Sequence, residues 1–318
     1  MQPTVAVVVL NWNGRDLTLD CLQSLAGLDY PGPVIPVVVD NGSSDGSAAA
    51  VRGQFPDMTV IELDENLGYA EGNNVGLRHA MEQGVDYVCV LNNDTRLDPA
   101  CLRELVAEAE SAPDIGMVGP KMYFEEPHDM VFAAGSYIDW DRGKLVQRGI
   151  WQRECEVGPI YDDQATDVDF IIGCCVLIKR ELIETVGLLD ARYYLNFEDV
   201  DWCIRARAAG FRVRYTPRAI LWHRVSASLG LASPRNTYYM TRNSLLFFWS
   251  HLRGWRRFWT VARIVKRNIG HITVWTFKEQ YRHACRDKRD INIRALRDAF
   301  LGRFGKMGPD VEEICQRG

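Results

Sequence analysis

The stretch TVAVVVLNWNG, residues 4–14, is a β-branched apolar run that stops at two asparagines and a glycine. An apolar run of this length has the pattern of a strand buried on both faces of a parallel sheet. Further strands of the same kind follow at VIPVVVD (34–40), TVIEL (59–63), VDYVCVL (85–91) and the short IGMVGP (115–120). Between them, residues 15–27, 70–83 and 98–111 read as helices, the second stopped by Gly84. Strands and helices alternating at this spacing predict an α/β domain, a mainly parallel, Rossmann-like sheet with helices on both faces.

In open α/β sheets, ligands bind at the carboxyl ends of the strands. Here those ends run into NWNG, DNGSSDGS, ENLGYAEGNN and NNDT. Turn chemistry explains one such end; four along one edge point to a ligand pocket. Asp40 can accept an N–H of a pyrimidine base, and Asn11, Asn13 and glycine-flanked backbone let a flat ring approach. There is no G-x-G-x-x-G and no P-loop lysine, which argues against a dinucleotide site and an NTPase. Asp94 is a hard oxygen ligand of the kind Mg²⁺ or Mn²⁺ accepts alongside phosphate oxygens and water. The alternative for it is an Asx-turn.

Beyond Lys121 the alternation weakens, and residues 121–165 read as short strands and long loops. DFIIGCCVLIKR (169–180) is expected to be a strand bent at Gly173, followed by a helix at 181–187. NFEDVDWCIRARAAG (196–210) reads as a helix with an acidic first turn and a stop at Gly210. Asp201 and Arg205 are spaced as an i,i+4 pair. Glu198 and Asp199 point about 100° apart on a helix, so one can serve the helix while the other faces a cleft. FRVRYTP and AILWHR are expected as two further strands, with His223 closing the second. That histidine is either packed or returned by the strand toward the acidic helix.

The 47% hydrophobic and 25% charged content over 318 residues is that of a globular chain with room for two lobes. No run of 18 apolar residues occurs, so no spanning helix is expected; the N-terminus lacks the basic region of a signal peptide. Nine scattered cysteines without a C-x-x-C pair fit reduced thiols in the cytosol better than disulfides or a zinc site. Charge is uneven. Residues 1–234 carry 19 Lys/Arg against 35 Asp/Glu, net −16, whereas residues 235–306 carry 17 against 4, net +13. LLFFWSHLRGWRRFWTVARIVKRN (245–268) interleaves aromatic and basic residues as interfacial helices do. The basic segment that contains it, about 235–303, is expected to face an anionic membrane, or to pack on the acidic body or a second subunit.

Taken together and in order, VVVLNWNG, VVDNGSSDGS, ENLGYAEGNNVGL, VLNNDT, the long DFIIG…RAAG stretch, LWH and YYMTRN cover about residues 4–243. In them the chain resembles the family 2 glycosyltransferases, which have the GT-A fold, and in particular their rhamnosyltransferase-like branch. The resemblance implies an inverting transfer of rhamnose or a hexose from a dTDP- or UDP-sugar to an acceptor hydroxyl, in cell-envelope polysaccharide or glycolipid synthesis. It implies that Asp40 reads the base, that Asn11, Asn13, Asn41, Asn66, Gly68, Asn73 and Asn93 line the donor pocket, and that Gly173 passes the donor sugar. Asp94 matches the metal-binding acid and Asn92 stands where the family has another acid, with His223 completing a Mg²⁺ or Mn²⁺ site. Glu198 and Asp199 match the catalytic pair, with Asp199 as general base. Residues 1–120 would then be the nucleotide-sugar-binding half, 121–234 the metal and acceptor half, and 235–318 a basic, aromatic-rich helical region. Expected partners are the donor, a glycan or lipid-linked acceptor, the inner face of the cell membrane and a second copy of the chain; no nucleic acid is expected. The competing readings are a catalytically inactive nucleotide-sugar or glycan-binding module, and a metal-dependent nucleotidyltransferase or phosphohydrolase.

Overall fold

The computed structural model describes residues 2–156, 164–224, 233–278 and 285–316. The chain divides into two compact units. The first comprises residues 1–137, 146–190 and 199–225; the second comprises 138–145, 191–198 and 226–318.

The first unit is built on one mixed sheet. Its strands are β1 (Val5–Asn11), β2 (Val34–Asp40), β3 (Thr59–Glu62), β4 (Tyr87–Asn92), β5 (Thr95–Leu97), β6 (Ile115–Phe124) and β7 (Val131–Ala133). A separate hairpin of β8 (Ser136–Asp139) and β9 (Lys144–Gln147) intervenes, and β10 (Thr166–Asp167), β11 (Cys175–Lys179) and β12 (Arg212–His223) complete the sheet. The order is β10-β12-β6-β11-β4-β1-β2-β3, with β5 on β12 and β7 on β6. β1 to β4 run parallel, as do β6 and β12, while β11 is antiparallel to both its neighbours. Val5 to Val9 are at most 1% exposed, as the unbroken apolar run requires. Each such valine contributes about 1.5–3 kcal/mol by leaving water.

The helices are α1 (Arg15–Ala26), α2 (Ser47–Gln54), α3 (Gly68–Glu82), α4 (Cys101–Ala109), α5 (Arg180–Val186) and α6 (Glu198–Ala208). α3 packs on β1, β2 and β4, and α4 on β6, β11 and β12. The glycines of ENLGYAEGNNVGL explain how closely α3 lies on the sheet. A Cβ at Gly76 would stand 2.3 Å from Val8 Cγ1, and one at Gly72 would stand 2.7 Å from Leu10 Cδ1.

Three local expectations are corrected. The helix expected at 98–111 starts at Cys101, because Thr95–Leu97 are drawn into the sheet against β12. Of residues 169–180 only Cys175–Lys179 is a strand. The part before it leaves the ladder: Ile171 N bonds to Cys203 Sγ and Gly173 N to Asp199 Oδ2. The two strands expected at 211–224 are one, β12, whose register on β6 shifts between Thr216 and Ile220. Pro217 has no N–H to give a ladder and falls within that irregularity.

The second unit is helical: α7 (Pro234–His251), α8 (Gly254–Phe277), α9 (Arg286–Phe300) and α10 (Pro309–Cys315). Ser233 caps α7 by accepting from Asn236 N, and Pro234 opens the helix, where a missing N–H costs nothing. Tyr238, Tyr239, Ile291, Ala295, Met307, Val311 and Ile314 form its core. α8 buries Thr260, Ile264 and Asn268, one stripe at i, i+4 and i+8. That stripe meets the hairpin tip, where Thr260 Oγ1 donates to Trp140 O at 2.9 Å and Arg263 to Asp141 O at 2.7 Å. The opposite face leaves Trp255, Phe258, Trp259, Ile269 and Phe277 between 52% and 80% exposed. Within that face Phe258 packs edge-on to Trp249 and Trp255 edge-on to Trp259. Within the basic segment 235–303, residues 279–284 lie outside the described part. Among the described residues no helix is long and apolar enough to cross a membrane.

Candidate active site

Register puts the polar strand ends side by side. Asn11 pairs with Asp40 across β1 and β2, and Leu10 pairs with Asn92 across β1 and β4. Asn11 is fully buried, and its amide is spent inside the protein. Its Nδ2 donates to Asp40 Oδ1 at 2.8 Å and to Ser43 Oγ at 3.1 Å; its Oδ1 accepts from Thr18, Gly14 and Asn93. It therefore stands behind Asp40 as a support, where the sequence suggested a pocket wall. Ser43, unremarked in the sequence, also donates to Asp40 Oδ1. The other carboxylate oxygen has no partner among the described residues.

Asn13 takes a left-handed φ of 51°, which Asn tolerates. Its Oδ1 accepts Ser44 N at 2.8 Å, locking NWNG onto DNGSS. Asn41 and Asn66 form a second clasp. Asn41 accepts Leu67 N at 2.9 Å and donates to Gly68 O and Asn66 Oδ1, both at 3.1 Å, while Asn66 Oδ1 accepts Gly68 N. Asn93 turns inward, donating to Asn11 and Thr18. Asn73 is fully buried, donates to Tyr69 O, and its Oδ1 has no partner among the described residues. Asn74 holds Leu189 from both sides, accepting its N–H at 3.0 Å and donating to its carbonyl at 2.9 Å. Nothing in the local pattern marks Asn74 out.

Asp94 and His223 are 129 residues apart and meet through β5. His223 lies opposite Thr95 in the β12–β5 ladder, and Arg224 N bonds to Asp94 O at 2.8 Å. Asp94 Oδ1 stands 3.1 Å from His223 Nε2, both side chains nearly buried. The ring sits edge-on to Phe132, and its Nδ1 is buried without a partner among the described residues. Donors on adjacent positions of a six-coordinate cation, with bonds of about 2.1 Å, stand about 3 Å apart. This oxygen–nitrogen pair fits that requirement. No third His, Cys, Asp or Glu joins it among the described residues. Asn92 does not point its oxygen there freely, since Tyr69 Oη lies 2.8 Å from Asn92 Oδ1.

Tyr69 Oη also lies 2.5 Å from Gly173 O, and Gly173 N donates to Asp199 Oδ2 at 2.8 Å. Tyr69, with one proton to share between the Asn92 and Gly173 oxygens, thus bridges the strand end two residues before Asp94 to Gly173, whose N–H reaches Asp199. Gly173 leaves no spare room: an added Cβ would sit 3.2 Å from Tyr69 Oη and 3.3 Å from Asp199 Cβ. Asp199 Oδ1 accepts Val200 N at 2.8 Å. Burial pushes the Asp199 carboxyl above its ordinary pKa, opposed by N–H donation from Gly173, Val200 and its own backbone. The residue as a whole is only partly buried. Glu198 is buried at the start of the helix. The rest of α6 is scaffold. Asp201 accepts Arg205 Nε at 2.7 Å, Arg205 also donates to Val186 O and Leu188 O, and Trp202 Nε1 donates to Gly187 O.

The chain is 25% identical over 247 residues to an N-acetylglucosaminyl-diphospho-decaprenol L-rhamnosyltransferase of Mycobacterium tuberculosis, covering 71% of this chain and 78% of that one. It is 20% identical to the dTDP-rhamnosyl transferase RfbF of Shigella flexneri, over 66% of this chain and 69% of that one. Among solved structures, the mannosyltransferase PcManGT of Pyrobaculum calidifontis, in complex with GDP-Man and Mn²⁺, superposes with a TM-score of 0.60 at 17% identity. That match covers 95% of this chain and 88% of the other, and it carries the GT-A fold. The family model for glycosyltransferase like family 2 matches residues 3–238, from the first strand into α7. With a match of that extent over this sheet, the chain belongs to family 2 of the glycosyltransferases, and it is an enzyme of that class.

Proposed function

We propose that the protein moves a sugar from a nucleoside-diphosphate donor onto an acceptor hydroxyl with inversion at the anomeric carbon. The observation that carries this reading is the bridge Asp199–Gly173–Tyr69–Asn92, which ties a buried carboxylate to the strand end holding Asp94 and His223. An inverting transfer needs a base for the acceptor proton and charge stabilisation for the departing diphosphate. Asp199 is the base in this reading, with Glu198 beside it at the helix start. Asp40, backed by Asn11 and Ser43, presents its free oxygen to the N–H of a pyrimidine base. The Asn13, Asn41, Asn66, Gly68 and Asn93 clasps shape that pocket, with Asn73 beneath it. Asp94 and His223 would hold Mg²⁺ or Mn²⁺, and phosphate oxygens and water would complete the shell. When bound, the cation neutralises charge on the diphosphate. Residues 1–120 serve the donor in this reading and lend Asp94 to the metal, and 121–234 supply His223 and the acceptor side.

The first-choice donor is dTDP-rhamnose, in keeping with the two rhamnosyltransferase relatives; a UDP-hexose is the second. The proposed acceptor is a lipid-linked glycan of the cell envelope, reached from the cytoplasmic side. The exposed face of α8 supports membrane contact over a dimer. Residues 254–277 contain no acid, and helical spacing puts Lys266 on the aromatic stripe, while Arg256 and Arg263 flank it at the hairpin, Arg256 paired with Asp141. An isologous dimer through this face would oppose like charges; an anionic bilayer would attract them while taking up the aromatic rings.

The test is incubation with a panel of nucleotide sugars and Mn²⁺. Slow release of nucleoside diphosphate supports the transferase. Release of monophosphate would replace it with a phosphohydrolase, and binding without any release would indicate an inactive module.

A further inference from the structure

The YYMTRN segment, residues 238–243, has no part in the chemistry above, yet its last two residues are among the most elaborately bonded in the second unit. They face residues 191–198, the turn that leads into α6. That turn is strained. Tyr194, Asn196 and Phe197 have φ values of 65°, 66° and 78°, in the left-handed region. Asn196 tolerates this region, but for Tyr194 and Phe197 it costs about 1 kcal/mol or more each, and it persists only where the surroundings impose it.

The carbonyls of the turn converge on Arg242 and Asn243. Asn243 Nδ2 stands 2.9 Å from Tyr193 O, 2.9 Å from Leu195 O and 2.8 Å from Asn196 O. Arg242 Nε donates to Asn243 Oδ1 at 3.0 Å, which orients the amide so that its hydrogens face the turn. The Arg242 guanidinium donates to Tyr193 O at 3.2 Å and to Gly305 O at 2.7 Å, and it lies over the rings of Tyr238 and Tyr239. Arg242 is fully buried, and no carboxylate pairs with it among the described residues. Burying a cation without a counter-charge is costly unless its donors are all used. Here Nε is used on Asn243 Oδ1 and the two terminal nitrogens on the carbonyls of Gly305, Arg192 and Tyr193. The rest of the segment anchors the pair. Tyr238 Oη donates to Asp298, Tyr239 Oη accepts Met307 N, and Thr241 donates to Asn292.

We propose that Arg242 and Asn243 are positioning residues for the catalytic carboxylate. They impose the turn at 192–197, the turn sets where α6 begins, and the start of α6 places Asp199 against Gly173 N–H. This rests on Asp199 being the base. A displacement of the order of 1 Å at a reacting group lowers rate by about 10², whereas the donor pocket on β1, β2 and α3 shares no residue with this clamp.

The experiment compares Asn243→Ala, Asn243→Asp and Asn243→Ser with the parent and with Asp199→Asn. It measures thermal unfolding, calorimetric affinity for dTDP and UDP in Mn²⁺, and kcat for diphosphate release from the preferred nucleotide sugar. The expected result is nucleotide affinity within about threefold of the parent and kcat lower by about 10² in Asn243→Ala. Asn243→Asp should be no better than Ala, because an isosteric carboxylate would face three carbonyls. Asn243→Ser should recover part of the rate, because it keeps one donor. A side chain needed only for packing would give the reverse order, with Asp above Ala. The proposal is overturned if a folded Asn243→Ala keeps kcat within threefold, if nucleotide affinity falls in step with kcat, or if Asp outperforms Ala. Should Asn243→Ala not unfold cooperatively, Asn243→Ser takes its place under the same criteria. Turnover retained by Asp199→Asn would remove the base assignment and the clamp's role with it; turnover lost there but kept in Asn243→Ala would remove the clamp alone.

Discussion

Replacing Asp199 by Asn tests the centre of the catalytic reading. Both carboxylate oxygens accept a backbone N–H, Oδ2 from Gly173 and Oδ1 from Val200, each at 2.8 Å. An amide of the same shape has one acceptor oxygen, so one of those N–H groups would face an NH₂. Leaving a buried donor unsatisfied costs about 1–3 kcal/mol. Removing a charge that burial disfavours offsets part of that cost. The variant is therefore expected to fold and to bind nucleotide as the parent does. Its kcat should fall by about 10²–10⁴, the range for loss of a general base, equivalent to about 2.7–5.4 kcal/mol of barrier. Diphosphate release from the preferred donor measures kcat, and calorimetry with the nucleotide and Mn²⁺ measures affinity. The raised pKa adds a second reading. A base works only when ionised, so turnover should rise with pH through a pKa above the ordinary aspartate range and be lost below it. A fall of less than tenfold in Asp199→Asn, with activity abolished in Glu198→Gln, would refute the assignment.

Asp94→Ala and His223→Ala should each weaken the dependence of turnover on Mn²⁺, and excess EDTA should silence the parent. Full activity in EDTA would sink the metal, while loss in Asp94→Ala alone would remove the histidine from it. Asp40→Ala should weaken donor binding by about 1.5–3 kcal/mol, the worth of a charge-assisted hydrogen bond; unchanged calorimetric affinity would return Asp40 to the role of a turn residue. The protein should co-sediment with anionic but not neutral vesicles, less so at high salt and after replacement of Arg253 and Lys266, which have no partner among the described residues. No binding to either vesicle, with a solution dimer that dissociates when Trp255 and Trp259 are changed, would make the aromatic face a subunit interface.

What the sequence by itself determined follows from short-range periodicity. Apolar runs rich in β-branched residues marked β1, β2 and β4, and the abrupt change to Asn, Asp and Gly marked where each strand ends. Parallel pairing then sets those ends level, so Asn11, Asp40 and Asn92 fall on one edge almost automatically. The helix at Glu198 and its Asp201–Arg205 pair are equally local. Tertiary structure alone decided which of those polar groups are spent on hydrogen bonds within the protein and which keep a free atom. Asn11 reads like a pocket residue but is saturated behind Asp40. β12 continues past Pro217 because a register irregularity absorbs a residue with no N–H to give. Asp199 meets Gly173, and Asn243 meets the turn before Asp199, only because distant segments are folded together. Such hydrogen bonds depend on orientation and on separations of 26 and about 50 residues, and no helical or strand period records them.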